Sequence, residues 1–262
     1  MTSFERSYVE LYDAFYATKN YDEELKNLNF VISKNGYTLE GKRILEIGCG
    51  SGNFTNLLAK QANVEAIDIN QDMIYLAQRK FPSITSNFRC IKMNELASSN
   101  IEKFDAILLL FHVFSYLSKS EMQDLTALCN KFLRSNGLLI FDYWDLSAVD
   151  VERPHPTCKR IEFNGQLVLR VASTTSLQRE RNLEKFEVKF DFFKEFPRSY
   201  EFLFSERHFL YAHSSESIDK QMDSFSCIAN WDIIKGDKFE MKHYGNTKIF
   251  VKFREEIGKP SD

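Results

Sequence analysis

The chain has 262 residues, 44% of them hydrophobic and 27% charged, which suits one sizeable domain or one domain carrying a large insertion. A formal net charge of −3 gives no electrostatic footprint for duplex nucleic acid or an acidic membrane. The five scattered cysteines form no CxxC pair, which argues against a disulfide framework or a zinc site and for a reducing, cytoplasmic setting.

The N-terminal MTSFERSYVELYD is polar and acidic, unlike a secretory signal. Residues 1–40 read as helical and are rich in tyrosine, with Tyr8, Tyr12, Tyr16 and Tyr21. From there to about residue 150 apolar runs alternate with helical patterns. RILEIG, VEAIDIN, FRCIKM, FDAILLLF and GLLIFDYW read as five strands. FTNLLAKQ, QDMIYLAQRKF and KSEMQDLTALCNKFLRSNG read as helices, the last ended by Asn136-Gly137. This alternation predicts an α/β fold with a parallel sheet covered on both faces. The longest apolar run, AILLLFHVF, is too short to cross a bilayer. After Asp150, beyond Pro154 and Pro156, strand-like segments at hairpin spacing predict an antiparallel insertion. SSESIDKQMDSF then reads as a helix, and CIANWDII and NTKIFVKF as two closing strands.

Gly48, Gly50 and Gly52 follow the first strand in the order G-C-G-S-G and allow a ligand to approach the backbone closely. A dinucleotide fold would space them G-x-G-x-x-G, so the third glycine comes one residue early. Asp68, at the end of the next strand, suits a ribose in either case. Glu46 separates the two. A carboxylate there is a poor neighbour for a pyrophosphate and a good one for a ligand with ammonium and sulfonium centres, such as S-adenosylmethionine.

On these residues the sequence resembles the class I S-adenosylmethionine-dependent methyltransferases. ILEIGCGSG is similar to their first motif and EAIDIN-QDMI to their second. The resemblance implies a Rossmann-like, doubly wound seven-stranded sheet with an antiparallel β insertion. It implies a helical lid over 1–40, a cofactor-binding core over 41–150, a substrate-side insertion over 151–213, and a C-terminal helix and two strands over 214–262. LYDAFYATKNYDEE, FDAILLLFHVFSYL and LLIFDYWDLSAV are similar to methyltransferases of deoxyaminosugars and of bacterial surface-polysaccharide clusters. The cofactor-side residues implied are Tyr21, Glu46, Gly48, Cys49, Gly50, Gly52, Asp68, Ile69, Met73, Met93, Asn94 and Leu110. One departure stands out: Lys92 occupies the place where such enzymes often carry an Asp for the adenine amino group, and a lysine cannot accept a hydrogen bond. Adenine is then left to backbone near Met93, to Asn94, or to apolar stacking.

Methyl transfer from a sulfonium depends mostly on alignment, and a base matters only where the acceptor must lose a proton. His112, just past the fourth strand, is the candidate base, set against a packing role among Phe111, Val113 and Phe114. By resemblance Tyr16 approaches the transferred methyl and Tyr21 the methionine end of the cofactor; Tyr12 and Tyr16, four apart, equally fit an amphipathic helix docking an aromatic stripe. Tyr116, Asp142, Trp144 and, from the insertion, His208 are substrate-side candidates, against core or strand-end roles. Arg153, Lys159, Arg160 and Arg170 form either a solvated face or an anion site. His213 and His243 read as surface residues. No metal-ligand cluster, Walker loop, nucleophile elbow or nucleic-acid amino-methyltransferase motif occurs in the sequence. The expected function is methyl transfer to a small sugar-related acceptor in surface-polysaccharide synthesis, oxygen favoured over nitrogen, with neither nucleic acid nor membrane as partner. An RNA or protein methyltransferase and a non-catalytic cofactor-binding regulator are the alternatives.

Overall fold

The computed structural model describes residues 6–96, 101–231 and 245–252. Two helices precede the sheet, α1 (Arg6–Phe15) and α2 (Tyr21–Lys34). α1 turns Tyr8, Leu11 and Phe15 inward, the three- and four-residue spacing of one helix face. Asn20 caps α2 by accepting from the Glu23 N–H, and Asp22, Glu23 and Glu24 fill a first turn that favours negative charge.

The core runs β1 (Arg43–Ile47), α3 (Asn53–Leu58), β2 (Asn63–Asp68), α4 (Gln71–Lys80), β3 (Phe88–Cys90), α5 (Met93–Leu96), β4 (Phe104–Leu109), α6 (Lys119–Phe132) and β5 (Leu133–Asp145). The five strands are parallel in the order β3-β2-β1-β4-β5. Alternate residues supply two apolar faces. Leu45, Ile107 and Leu139 pack toward α6, while Ile44, Leu108 and Ile140 pack toward α2 and α3. β1 lies between β2 and β4, so the chain reverses its winding there and opens a crevice at the strands' carboxyl ends.

After α7 (Leu146–Val151), the strands β6 (Thr157–Phe163), β7 (Gln166–Glu180), β8 (Leu183–Phe196) and β9 (Ser199–His213) form an antiparallel sheet. α8 (Ser215–Gln221), β10 (Phe225–Trp231) and β11 (Gly245–Lys252) follow, and β11 runs antiparallel to both β5 and β10. The core is thus seven-stranded, β3-β2-β1-β4-β5-β11-β10, as expected. β9 also pairs with the end of β5, Trp144 with Ala212 and Asp145 with His213, which makes core and insertion one continuous sheet.

Several local expectations change. The third strand stops at Cys90, so Met93 and Asn94 lie on a helical turn. α6 ends at Phe132, not at Asn136-Gly137. Leu133 is drawn out of the helix to pair with Phe104 in the core, and Asn136 (φ 63°) lies inside β5, where the pairing skips from Leu133 to Leu138. α7 had no counterpart in the sequence reading. His213 is not a surface residue: it is 1% exposed, and burial lowers its pKa to about 4. His243 and the end of the CIANWDII segment lie outside the described residues. No helix among the described residues is long and apolar enough to cross a membrane.

Candidate active site

The glycine loop sits at the crevice. Gly48 and Cys49 both donate to the Ile67 carbonyl, at 2.7 and 3.1 Å, which ties the loop to the neighbouring strand. Two of the glycines are required for different reasons. At Gly48 (φ 75°) a Cβ would stand 2.5 Å from Val113 Cγ2, so the segment after β4 lies directly against the loop. At Gly50 (φ 53°) a Cβ would meet nothing within 4 Å, so its backbone faces open space. The Gly50 N–H donates to Asp68 Oδ2 at 2.9 Å, and Asn70 N–H donates to Asp68 Oδ1 at 2.8 Å. Burial raises the Asp68 pKa against those N–H groups, which pull it down. Each oxygen retains a lone pair for a further donor.

Around this loop the sequence candidates separate. Ile69, 57% exposed beside Asp68, offers an apolar face for a flat ring. Asn94 is exposed and Met93 half-buried against the core, with Lys92 exposed between β3 and α5. Glu46 differs from expectation: it is 2% exposed, and Thr55 Oγ1 donates to its Oε2 at 2.6 Å. Burial pushes its pKa up to about 7. The side chains of Cys49, Met73 and Leu110 are likewise buried, because α3 and α4 close over the sheet there. Cys49 packs with Ala66, Ile74 and Phe88, and burial pushes its thiol pKa up.

The β4 exit carries an unusual turn. Phe111 and His112, neither of them glycine, both have φ of 64°. The Phe111 ring meets Tyr21 and Phe54 edge-on, with centroids 5.5 and 5.7 Å away, and Lys19 Nζ lies 3.3 Å from its centroid. The His112 N–H donates to both oxygens of Asp142, at 3.0 and 3.1 Å. His112 Nδ1 lies 3.1 Å from Asp142 Oδ2, close enough for charge attraction but without the alignment of a hydrogen bond. Asp142 is 8% exposed; burial alone would raise its pKa, but His112 and then Lys19 hold it below the usual carboxylate range. Asp142 thus holds the turn at His112 through that backbone N–H.

Lys19 and Glu24, which the sequence reading passed over, complete this charged corner. They pair at 3.5 Å; burial lowers the lysine pKa and raises that of the glutamate. Neither carries a motif, and only the fold brings the α1–α2 turn against β4.

On the insertion side, the rings of Tyr12 and Tyr16 meet at a tilt of 43° with centroids 4.7 Å apart. Tyr21 hydrogen-bonds Asn53 at the start of α3, and burial pushes its pKa up to about 12. The Tyr116 hydroxyl lies 2.9 Å from His208 Nδ1, which joins the β4 exit to the insertion. Burial and then Arg170 lower the His208 pKa to about 4, so it stays neutral. Trp144, half-buried, packs on Phe186 of β8, 5.7 Å between centroids, at the junction of the two sheets. Arg153 pairs with Glu184 at 2.7 Å and Arg160 with Glu195 at 2.7 Å, so each has a carboxylate partner. A cavity of about 390 Å³ beside Arg153, Arg179 and Glu184 lies in the insertion, apart from the glycine loop.

A methyltransferase-domain family model matches residues 44–137. A protein of Geobacillus sp. strain WCH70, named as a methyltransferase, is 29% identical over 42% of this chain, a match that spans 45% of that protein's length. The dTDP-3-amino-3,4,6-trideoxy-alpha-D-glucopyranose N,N-dimethyltransferase of Streptomyces venezuelae is 22% identical over 71% of this chain and 76% of its own. Among solved structures, an amino pentose methyltransferase from Micromonospora echinaspora, bound to S-adenosylmethionine, superposes with a TM-score of 0.67 at 17% identity, covering 96% of this chain and 99% of that one.

Proposed function

We propose that this chain, which carries a methyltransferase domain over residues 44–137 on the fold of the class I S-adenosylmethionine-dependent methyltransferases, transfers a methyl group to a small sugar-related acceptor. The observation that carries the reading is the His112–Asp142 pair, next in the chain to the Val113 that touches Gly48. S-adenosylmethionine, when bound, supplies a methyl group already activated by its sulfonium. Asp68 has acceptor capacity for paired hydroxyls, Gly50 leaves its backbone open, and Ile69 offers an apolar face. With the Asp142 carboxylate beside Nδ1 to favour the proton there, His112 Nε2 takes the proton that an acceptor must lose on methylation. A hydroxyl needs that base most, which supports oxygen. The name of the Streptomyces relative supports nitrogen, and a protonated amine would give its proton to the same imidazole. A place in surface-polysaccharide synthesis rests on the FHVFSY and FDYW segments.

The test pairs calorimetry of S-adenosylhomocysteine binding with turnover on a panel of nucleotide-linked sugars and amino sugars. Product analysis by NMR reports the methylated atom. His112→Gln is expected to keep cofactor-product affinity and to lower kcat by about 10²–10⁴-fold, the usual worth of a positioned base. Absence of S-adenosylhomocysteine binding in the wild type, or full turnover in His112→Gln, would overturn the reading.

A further inference from the structure

We propose that Arg170 is the anion-binding residue of the acceptor site, a guanidinium kept for a phosphate or carboxylate oxygen on the molecule to be methylated. The proposal rests on the methyl-transfer reading and narrows its acceptor to a small molecule bearing an oxyanion.

The four insertion cations named in the sequence differ in what they hold. Arg153 and Arg160 have carboxylates, and Lys159 donates to the Phe15 carbonyl. Arg170 has no carboxylate partner among the described residues. Its one hydrogen bond is a long one, Nη1 to the Tyr16 hydroxyl at 3.4 Å, and its Nε is buried with no partner. A guanidinium has five N–H donors in a fixed fork that matches phosphate or carboxylate, and here nearly all are unused.

Two further features point to an anion. Arg170 on β7 pairs directly across from Lys159 on β6, and like charges opposite each other on antiparallel strands destabilise a sheet unless something neutralises them. The guanidinium is also held in an aromatic shell, 5.0 Å from the Phe15 centroid, 5.7 Å from that of Tyr16 and 4.8 Å from that of Phe190. Those rings orient the fork and thin the water around it, which strengthens its attraction for a ligand charge. The location fits an acceptor. Arg170 touches Tyr16 of the N-terminal segment, Tyr16 packs at a tilt on Tyr12, and His208 nearby bonds Tyr116, four residues after His112.

Calorimetry with inorganic pyrophosphate and, separately, with malonate, each at saturating S-adenosylhomocysteine, tests the assignment in the wild type, Arg170→Gln and Arg170→Lys. At least one probe is expected to bind the wild type, about tenfold more weakly to Arg170→Gln and to an intermediate degree to Arg170→Lys, which keeps the charge and loses the fork. Stronger binding of pyrophosphate assigns a phosphorylated acceptor, and of malonate a carboxylated one. If Arg170→Gln fails to fold, the ratio of wild type to Arg170→Lys decides. Unchanged binding of both probes in the variants, or no binding of either to the wild type, overturns the proposal. Titration of S-adenosylhomocysteine alone, and of each probe without it, reports on the methyl-transfer reading separately: no S-adenosylhomocysteine binding together with Arg170-dependent anion binding would fell that reading and leave the anion site.

Discussion

Glu46 illustrates how a single carboxyl takes its character from its surroundings. It lies in the middle of β1, between Ala66 and Leu108 in the neighbouring strands, and is almost fully buried. Thr55 gives it one hydrogen bond, which favours the charged form, but loss of water dominates and lifts its pKa to about 7. The folded state therefore binds this proton more tightly than the unfolded chain does. The contribution to stability is complete below the ordinary glutamate pKa of 4.5 and is lost as the pH rises through about 7. Glu46→Gln keeps an acceptor for Thr55 without the charge. It is expected to raise stability by on the order of 2–3 kcal/mol at about pH 8 and to change it little at about pH 5. Thermal melts at both values check this, and an equal offset at the two would refute it. From sequence, Glu46 reads as a contact for a cationic ligand, because its distance from the glycines is visible and its cover by α3 is not.

At the scale of elements, α1 is fastened to the core through one residue. Asp13 accepts from Ser51 Oγ at 2.6 Å and Asn53 Nδ2 at 3.1 Å, and it forms an ion pair with Lys80, which also donates to Asn53 at 2.7 Å. One carboxylate thus joins α1 to the glycine loop, α3 and α4. Asp13→Ala leaves Lys80 only a neutral partner and removes the acceptor shared by Ser51 and Asn53. Hydrogen exchange in residues 6–15 is expected to quicken by about tenfold or more with the core strands unaffected, the behaviour of a locally opening element. S-adenosylhomocysteine affinity should fall with it, and Asp13→Asn, which keeps the Ser51 bond, should lie between. Exchange rates in α1 equal to those of the wild type would show that the aromatic packing of Tyr8 and Phe15 against Phe192 holds the helix alone. The helices and strands themselves were largely legible, since buried parallel strands read as unbroken apolar runs and helices carry caps such as Ser118 with Glu121. The latch was not. Its four residues, Asp13, Ser51, Asn53 and Lys80, are ordinary polar residues from three distant parts of the chain, brought together only by packing.

Across the whole molecule, β5 is the spine that makes two sheets behave as one. Its middle residues pair with β4 and β11, and its end pairs with β9, where His213 faces Asp145 on one side and Leu183 on the other. The His213 ring lies 5.5 Å from Phe114, which stacks at 4.0 Å on Phe141 of β5. Alternation of strands with helices disclosed the parallel sheet and hairpin spacing the antiparallel one, but neither showed that β9 would join β5, so His213 read as a surface residue. Burial lowers the pKa of both His213 and His208 to about 4 from an ordinary 6.5. The unfolded chain therefore takes up these protons first. The stability of the neutral buried forms is complete above pH 6.5 and is lost as the pH falls toward about 4, on the order of 3 kcal/mol for each histidine. Because His213 lies at the junction, its protonation should weaken core and insertion together. Denaturant unfolding followed in parallel by far-ultraviolet circular dichroism and tryptophan fluorescence is expected to give coincident transitions whose midpoints fall together between those pH values. In a Glu46→Gln background, which removes the opposing pH dependence of that carboxyl, His213→Phe fills the same apolar space without a titrating group and should reduce that pH slope by about half. A midpoint that separates into two transitions at acid pH would show that the strands of the insertion unfold independently of β5.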